Sequence, residues 1–256
     1  MHEDQENPFS LKGKRIMVTG ASSGIGRSCA IELSRQGALL VLVARRKEHL
    51  TETRLALLGD GHYIESFDLV RGEEIVTWMK NLCSQIGLID GLLHSAGIFT
   101  TLPIRATSEA TFRKIVSTNL ESAYFLAKGF RQKGVRNQNG SLIFISSVMG
   151  IVGQPGLSAY CASKGGLITL AKSLALEFAK EAIRVNVIAP GVIQTAMAET
   201  IANSVPAESM KAVEASHPLG LGNPKDVAYA ATYLLSAASR WVTGTTLIVD
   251  GGYTAA

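Results

Sequence analysis

Tyr160 and Lys164 lie four residues apart, a spacing that sets two side chains on one face of a helix. A phenol gives up its proton only near pH ~10, and an ammonium one turn away stabilises the phenolate and draws that value down. Such a pair suits general acid–base work on a reacting oxygen. A structural tyrosine beside a surface lysine leaves the same pattern, so the pair alone decides nothing. Near the start of the chain, Thr19-Gly20-Ala21-Ser22-Ser23-Gly24-Ile25-Gly26 follows an apolar run and opens onto a helical one. Gly20 admits a tight turn, and Gly24 and Gly26 carry no β-carbon to block a pyrophosphate or close helix–strand packing. The helix N-terminus beyond them presents free N–H groups and a positive dipole end to phosphate. Gly20, Ser22, Ser23, Gly24, Ile25 and Gly26 are therefore candidate cofactor-binding residues.

These residues need elements to position them. Apolar runs at Arg15–Val18, Leu39–Val43, Tyr63–Phe67, Gly91–His94, Leu142–Ile145, Val185–Ile188 and Thr246–Val249 are nearly continuous rather than alternating, as in parallel strands covered on both faces. Between them, helical spacing predicts helices at Ile25–Gln36, Lys47–Leu58, Glu73–Ile86, Glu109–Phe130, Tyr160–Glu181 and Lys225–Leu235. Gly37 suits a helix C-cap and Pro224 a first turn. Strand–helix alternation from end to end predicts an α/β chain: one Rossmann-type, doubly wound parallel sheet of about seven strands with helices on both faces. Gly191 to Leu221 breaks the rhythm and holds Pro206 and Pro218; it reads as an inserted lid, at about 192–217. The expected organisation is a polar N-terminal extension at 1–10 and a single catalytic domain from 11 to 256.

Composition narrows the classes. With 256 residues, 46% of them hydrophobic, the chain can bury around 70–75% of its unfolded surface without a disulfide or metal staple. No apolar run approaches the ~18 residues of a membrane helix. Cys29, Cys83 and Cys161 are odd in number and form no CxxC pair, so no metal site is indicated and a cytoplasmic location is expected. The net charge of +4 is spread without a dense Lys/Arg run among aromatics, which argues against nucleic acid as a partner.

TGxxxGxG near the N-terminus and Tyr160-Cys161-Ala162-Ser163-Lys164 far downstream together resemble the short-chain dehydrogenase/reductase family. Ser147 stands thirteen residues before Tyr160, and Asn119, Pro190-Gly191 and Val249-Asp250-Gly251-Gly252 fall in the same order. The resemblance runs from about Leu11 to Tyr253 and points most to the 3-oxoacyl-carrier-protein reductases. It implies that Tyr160 is the general acid/base, that Ser147 polarises the substrate oxygen, and that Lys164 also binds nicotinamide ribose hydroxyls. It further implies that Asn119 holds a water linking Lys164 to solvent. Ala96 and Gly97 would let the ribose approach, Asp68 and Leu69 would touch the adenine, and Pro190, Gly191, Ile193 and Thr195 would meet the nicotinamide. Cys161, turned by about 100° from its neighbour along a helix, reads as packing.

The end of the second strand carries Ala44-Arg45-Arg46 with no acid. An acid there would bind a ribose 2′-hydroxyl, whereas a guanidinium pairs with a 2′-phosphate. Arg45, with Arg46 beside it, therefore points to NADP(H); the alternative is two solvated arginines at a helix start. His94-Ser95 replaces the family's usual Asn-Asn, and His94 reads as a hydrogen-bonded structural histidine. Ile98–Thr101, Met149–Leu157 and the lid, with Ile98, Phe99, Met149, Ile151, Val152, Leu157, Met197 and Ile201, would wall an apolar substrate pocket. Lys128, Arg131, Lys133 and Arg136 fit either a helix C-terminus or a docking patch for an acidic acyl carrier protein. The resemblance implies a homotetramer or dimer. The expected activity is NADP(H)-dependent reduction of a ketone to a secondary alcohol, or the reverse. Alternatives are a dehydrogenase of a sugar, polyol or cyclic alcohol, and a dinucleotide-binding regulator without turnover.

Overall fold

A computed structural model describes residues 7–196, 198 and 207–255. Strands β1 (Arg15–Thr19), β2 (Leu39–Ala44), β3 (Tyr63–Ser66), β4 (Ile89–His94), β5 (Arg136–Ile145), β6 (Arg184–Pro190) and β7 (Thr246–Val249) form one sheet in the order β3-β2-β1-β4-β5-β6-β7. All six pairings are parallel. Along each strand, alternate side chains enter opposite cores. Met17, Val41, Val43, Leu142 and Phe144 pack under α3 (Gly72–Ile86), α5 (Ser122–Phe130) and α6 (Ser158–Phe178). Ile16, Val18, Leu40, Leu42, Ile143 and Ile145 pack under α1 (Gly24–Arg35) and α8 (Pro224–Leu235). Two dry faces explain why the runs are apolar at every position. The strand order reverses between β1 and β4, and in such sheets ligands sit outside the carboxyl ends of the strands at that crevice.

Boundaries differ from the sequence expectation where the apolar signal fades. β5 begins at Arg136, six residues before its apolar stretch, because its first half is polar and partly exposed. The helix after β2, α2 (Lys47–Leu55), stops short of Leu58, whose N–H is taken by the Ser34 hydroxyl at 3.0 Å. The expected helix over 109–130 is α4 (Glu109–Val116) and α5 joined by one π-helical turn, Ser117–Glu121. Gly37 follows α1 with φ +89°, and α8 opens with Asn223 and Asp226 in a reciprocal capping box. Within the expected lid lies α7 (Ala207–Ala215); Met197, Ile201 and Pro206 fall outside the described residues. Residues 7–10 lie against the body: the Pro8 carbonyl accepts from Ala238 N–H at 3.0 Å, and the Phe9 ring stands 6.3 Å from that of Tyr233.

Candidate active site

The glycine turn hangs from β2, where the Val43 carbonyl accepts Gly20 N–H at 2.9 Å. Gly20 holds φ +69°, and a β-carbon there would lie 2.6 Å from the Ala96 nitrogen; only glycine fits both demands. Gly26 packs on the Gly20 carbonyl, bringing α1 close to β1. Ser23 caps α1 in an extended conformation, but its side chain makes no capping bond and the first turn holds no acid. The opening N–H groups of α1 thus lack a side-chain cap, which is the setting an anion fills. Across the site, the Thr195 methyl lies against Gly24. This cradle fits a dinucleotide pyrophosphate.

At the end of β2, Arg45 and Arg46 are exposed, and among the described residues neither has a carboxylate within 4.0 Å. The Ser66 hydroxyl donates to the Arg45 carbonyl at 2.8 Å, fixing the backbone there. Asp68 follows β3, and its carboxylate accepts Val70 N–H at 3.3 Å. The side chains of Leu69 and Ile193 are committed to the two cores, so only their backbones can meet a ligand. Pro190 ends β6, and Gly191 N–H bonds the Val249 carbonyl at 3.0 Å. Ala96 and Gly97 follow β4, with Gly97 against Asn119 and Lys164.

Tyr160, Ser147, Lys164 and Asn119 converge beside that crevice. Ser147 ends the loop after β5, its hydroxyl accepts Met149 N–H at 3.2 Å, and it lies near enough to Tyr160 to act on that hydroxyl's acidity. Ser146, its neighbour, is buried and donates instead to the Lys164 carbonyl at 2.8 Å. Asn119 is buried in the π-helical turn. Its oxygen accepts Ile98 N–H at 2.8 Å, and its amide nitrogen donates to the Ile98 carbonyl and to Ser163 Oγ, both at 3.0 Å. It therefore stitches the segment after β4 to α6. Extra residues in a helix turn are a common way to aim such a group.

The electrostatics depart from the sequence expectation. Burial pushes the Tyr160 hydroxyl up to about 12, only partly offset by the Ser147 hydrogen bond. Burial likewise brings Lys164 down to about 8. The Lys164 ammonium donates to the Ile145 carbonyl at 2.8 Å and stands 5.7 Å from the Tyr160 ring centre. His94 is fully satisfied: Nδ1 meets Thr19 Oγ1 at 2.8 Å and Nε2 meets Ser122 Oγ at 3.1 Å. Ser122 spends its proton on the Thr118 carbonyl at 2.6 Å, so it must accept, and the histidine carries its hydrogen on Nε2. Burial, then the nearby Lys164 charge, pushes His94 down to about 3, leaving a neutral ring that ties the glycine turn to the π-helical turn.

Of the expected pocket walls, Phe99, Met149, Val152 and Leu157 gather with Tyr160, whereas Ile151 points to solvent at 45% exposure. The sequence reading missed two members of this cluster, Val148 and Tyr253. Tyr253 follows the Asp250-Gly251-Gly252 turn at the far end of the chain, where nothing in the pattern ties it to Tyr160. In the basic group, Arg131 and Arg136 both pair with Glu181, at 2.7 and 2.6 Å. Of the four, Lys128 and Lys133 are exposed and have no such partner among the described residues, and Arg136 opens β5 at its amino end, away from Ser147 at the carboxyl end. Among the described residues no helix is long and apolar enough to cross a membrane.

A family model described as Enoyl-(Acyl carrier protein) reductase matches residues 20–254. The chain is similar to the 3-oxoacyl-[acyl-carrier-protein] reductase FabG of Haemophilus influenzae, 37% identical over 242 residues that cover 94% of this chain and 98% of the relative. Among solved structures, a candidate short-chain alcohol dehydrogenase from Sinorhizobium meliloti superposes with a TM-score of 0.89 at 32% identity, covering 98% of this chain and 100% of that one. A candidate 2-deoxy-d-gluconate 3-dehydrogenase from Agrobacterium tumefaciens, with bound NADP, superposes with a TM-score of 0.86 at 33% identity over 98% of this chain and 100% of that one.

Proposed function

Since the chain belongs to the short-chain dehydrogenase/reductase family of oxidoreductases acting between CH–OH and C=O groups, we propose that it is an NADP(H)-dependent reductase of 3-oxoacyl groups. The observation that carries this reading is Tyr160 and a buried Lys164 four residues apart on α6, with Ser147 acting on the Tyr160 hydroxyl and Gly97 against Lys164. A bound NADPH supplies the hydride. Tyr160, held at about 12 by burial, keeps its proton at neutral pH and delivers it to the carbonyl oxygen. Ser147 donates a hydrogen bond to that oxygen and stabilises the charge growing on it. In the oxidative direction Tyr160 must lose its proton, which the positive charge of an oxidised nicotinamide would favour. Lys164 holds the ribose hydroxyls, and Asn119 fixes the loop of Ile98 and relays protons through a water. Arg45, with Arg46 beside it, meets the 2′-phosphate, a role supported by the lack of a competing carboxylate and by the NADP in the related A. tumefaciens structure. Asp68 and Leu69 border the adenine, and Pro190, Gly191, Ile193 and Thr195 the nicotinamide.

The likeness to FabG supports a substrate carried as an acyl thioester, with acyl carrier protein as partner, a cytoplasmic location and a homotetramer or dimer. The likeness to a candidate sugar-acid dehydrogenase supports a second reading, oxidation of a sugar or polyol. A stopped titration separates them: NADPH fluorescence should rise on binding and decay when acetoacetyl thioester is added. Consumption with sugar ketones alone would favour the second reading, and binding without consumption across a ketone panel would leave only a dinucleotide-binding regulator.

A further inference from the structure

The last turn of the chain reaches the catalytic cleft. The Asp250 carboxylate accepts Gly252 N–H at 2.9 Å, Thr254 N–H at 2.8 Å and the Thr254 hydroxyl at 2.7 Å, which fixes the backbone on both sides of Tyr253. The Tyr253 ring packs on the Val148, Met149 and Leu157 cluster that also carries Tyr160 and Phe99. It stacks on His217, with ring centres 4.8 Å apart and planes 29° from parallel. His217 is buried and its tautomer is determined: Nδ1 lies 2.7 Å from the Val213 carbonyl, which can only accept, and Nε2 accepts Val192 N–H at 3.3 Å. One imidazole thus ties α7, the turn after β6 and the terminal aromatic ring together.

We propose that Tyr253, backed by His217, is a specificity-determining wall of the substrate site, limiting the size of the group that can lie over Met149 and Leu157 beside the reacting carbonyl. This rests on the carbonyl-reductase reading. A ring stacked on a buried imidazole on one side can present apolar surface on the other with little loss of side-chain entropy, and steric differences of one methylene in such a pocket discriminate by roughly 10–200-fold.

The test measures kcat/KM of the full chain with saturating NADPH on 3-oxoacyl thioesters of increasing length. Tyr253→Ala should move the long-to-short ratio upward about tenfold, Tyr253→Trp should move it down by a similar factor, and Tyr253→Phe should stay within about twofold. NADPH affinity should be unchanged in all three. Unaltered ratios in the Ala and Trp variants, with NADPH bound normally, would overturn the wall. If Tyr253→Ala fails to fold, Tyr253→Trp and Tyr253→Phe still decide. If the wild type reduces none of these ketones, the reductase reading fails by itself, and the wall is judged by binding. The emission added by Tyr253→Trp over the native Trp78 and Trp241 should then change with a long-chain 3-hydroxyacyl thioester and not with a short one. No added response would reject the wall.

Discussion

The two ends of the dinucleotide cleft are built in opposite ways. At the end of β2, Arg45 and Arg46 stand exposed on a short loop, with the Arg45 carbonyl held by Ser66 and, among the described residues, no carboxylate within 4.0 Å of either guanidinium. On α6, Tyr160 packs on the Val148 cluster, the Lys164 ammonium is held by the Ile145 carbonyl, and Asn119 makes three hydrogen bonds to Ile98 and Ser163. Recognition of a phosphate needs a charge that is hydrated until the ligand arrives, because burying an unpaired guanidinium in advance would cost far more than it returns. Proton transfer needs the reverse: a group held in place before the substrate comes, in a dry site where its hydrogen bonds are strong. One end selects the cofactor and the other does the chemistry. Each should fail in its own way.

The largest effect is expected at the buried end. Tyr160→Phe removes the only proton Tyr160 can deliver and leaves the ring packed on Phe99, 5.1 Å away. Turnover should fall by at least about 10³-fold, the upper part of the range for a lost general acid, while NADPH affinity measured by fluorescence stays within about twofold. Retained turnover would dissolve the contrast between the ends. At the exposed end, Arg45→Ala should weaken NADPH by roughly ten- to a hundredfold, the loss of one charge-assisted pair. NADH binding and kcat should barely move. Equal losses for both cofactors would strip Arg45 of its phosphate role.

Much of this contrast was legible in the residues. The apolar runs that feed two cores at once marked the strands, and the glycine spacing marked the turn because Gly20 and Gly26 sit where a β-carbon would collide with backbone. Other features leave no such trace. The π-helical turn around Asn119 has the composition of an ordinary helix, and the partners of its buried side chain, Ile98 and Ser163, are distant in sequence. The four-residue spacing of Tyr160 and Lys164 correctly placed them on one face, yet it could not show that Ile145 accepts from the ammonium or that burial raises the phenol's pKa. Polar Arg136 to Gly140 concealed half of β5, and Arg131 and Arg136, read as cations, turned out to share Glu181. Tyr253 was out of reach because its neighbours, His217 and the Val148 cluster, come from other parts of the chain.

The smallest effect sharpens the comparison through pH. Lys164 falls to about 8 in the folded chain from an ordinary value of 10.5, so between these values the unfolded chain binds more protons than the folded one. Stability must then rise with pH through that window, and below it the folded state carries the full penalty of a buried ammonium. Tyr160 acts in the other sense. Its folded value of about 12 lies above the ordinary 10.0, so the folded chain keeps a proton that the unfolded one has lost, and stability falls as pH rises above about 10. The wild type should therefore gain stability relative to Lys164→Met from pH 8 to about 10, and Tyr160→Phe should remove the decline beyond it. Urea midpoints at pH 7, 8.5, 9.5, 10.5 and 11.5 measure both slopes. A flat difference between wild type and Lys164→Met would mean that the ammonium is hydrated in solution, and the buried end would then be no drier than the arginine end.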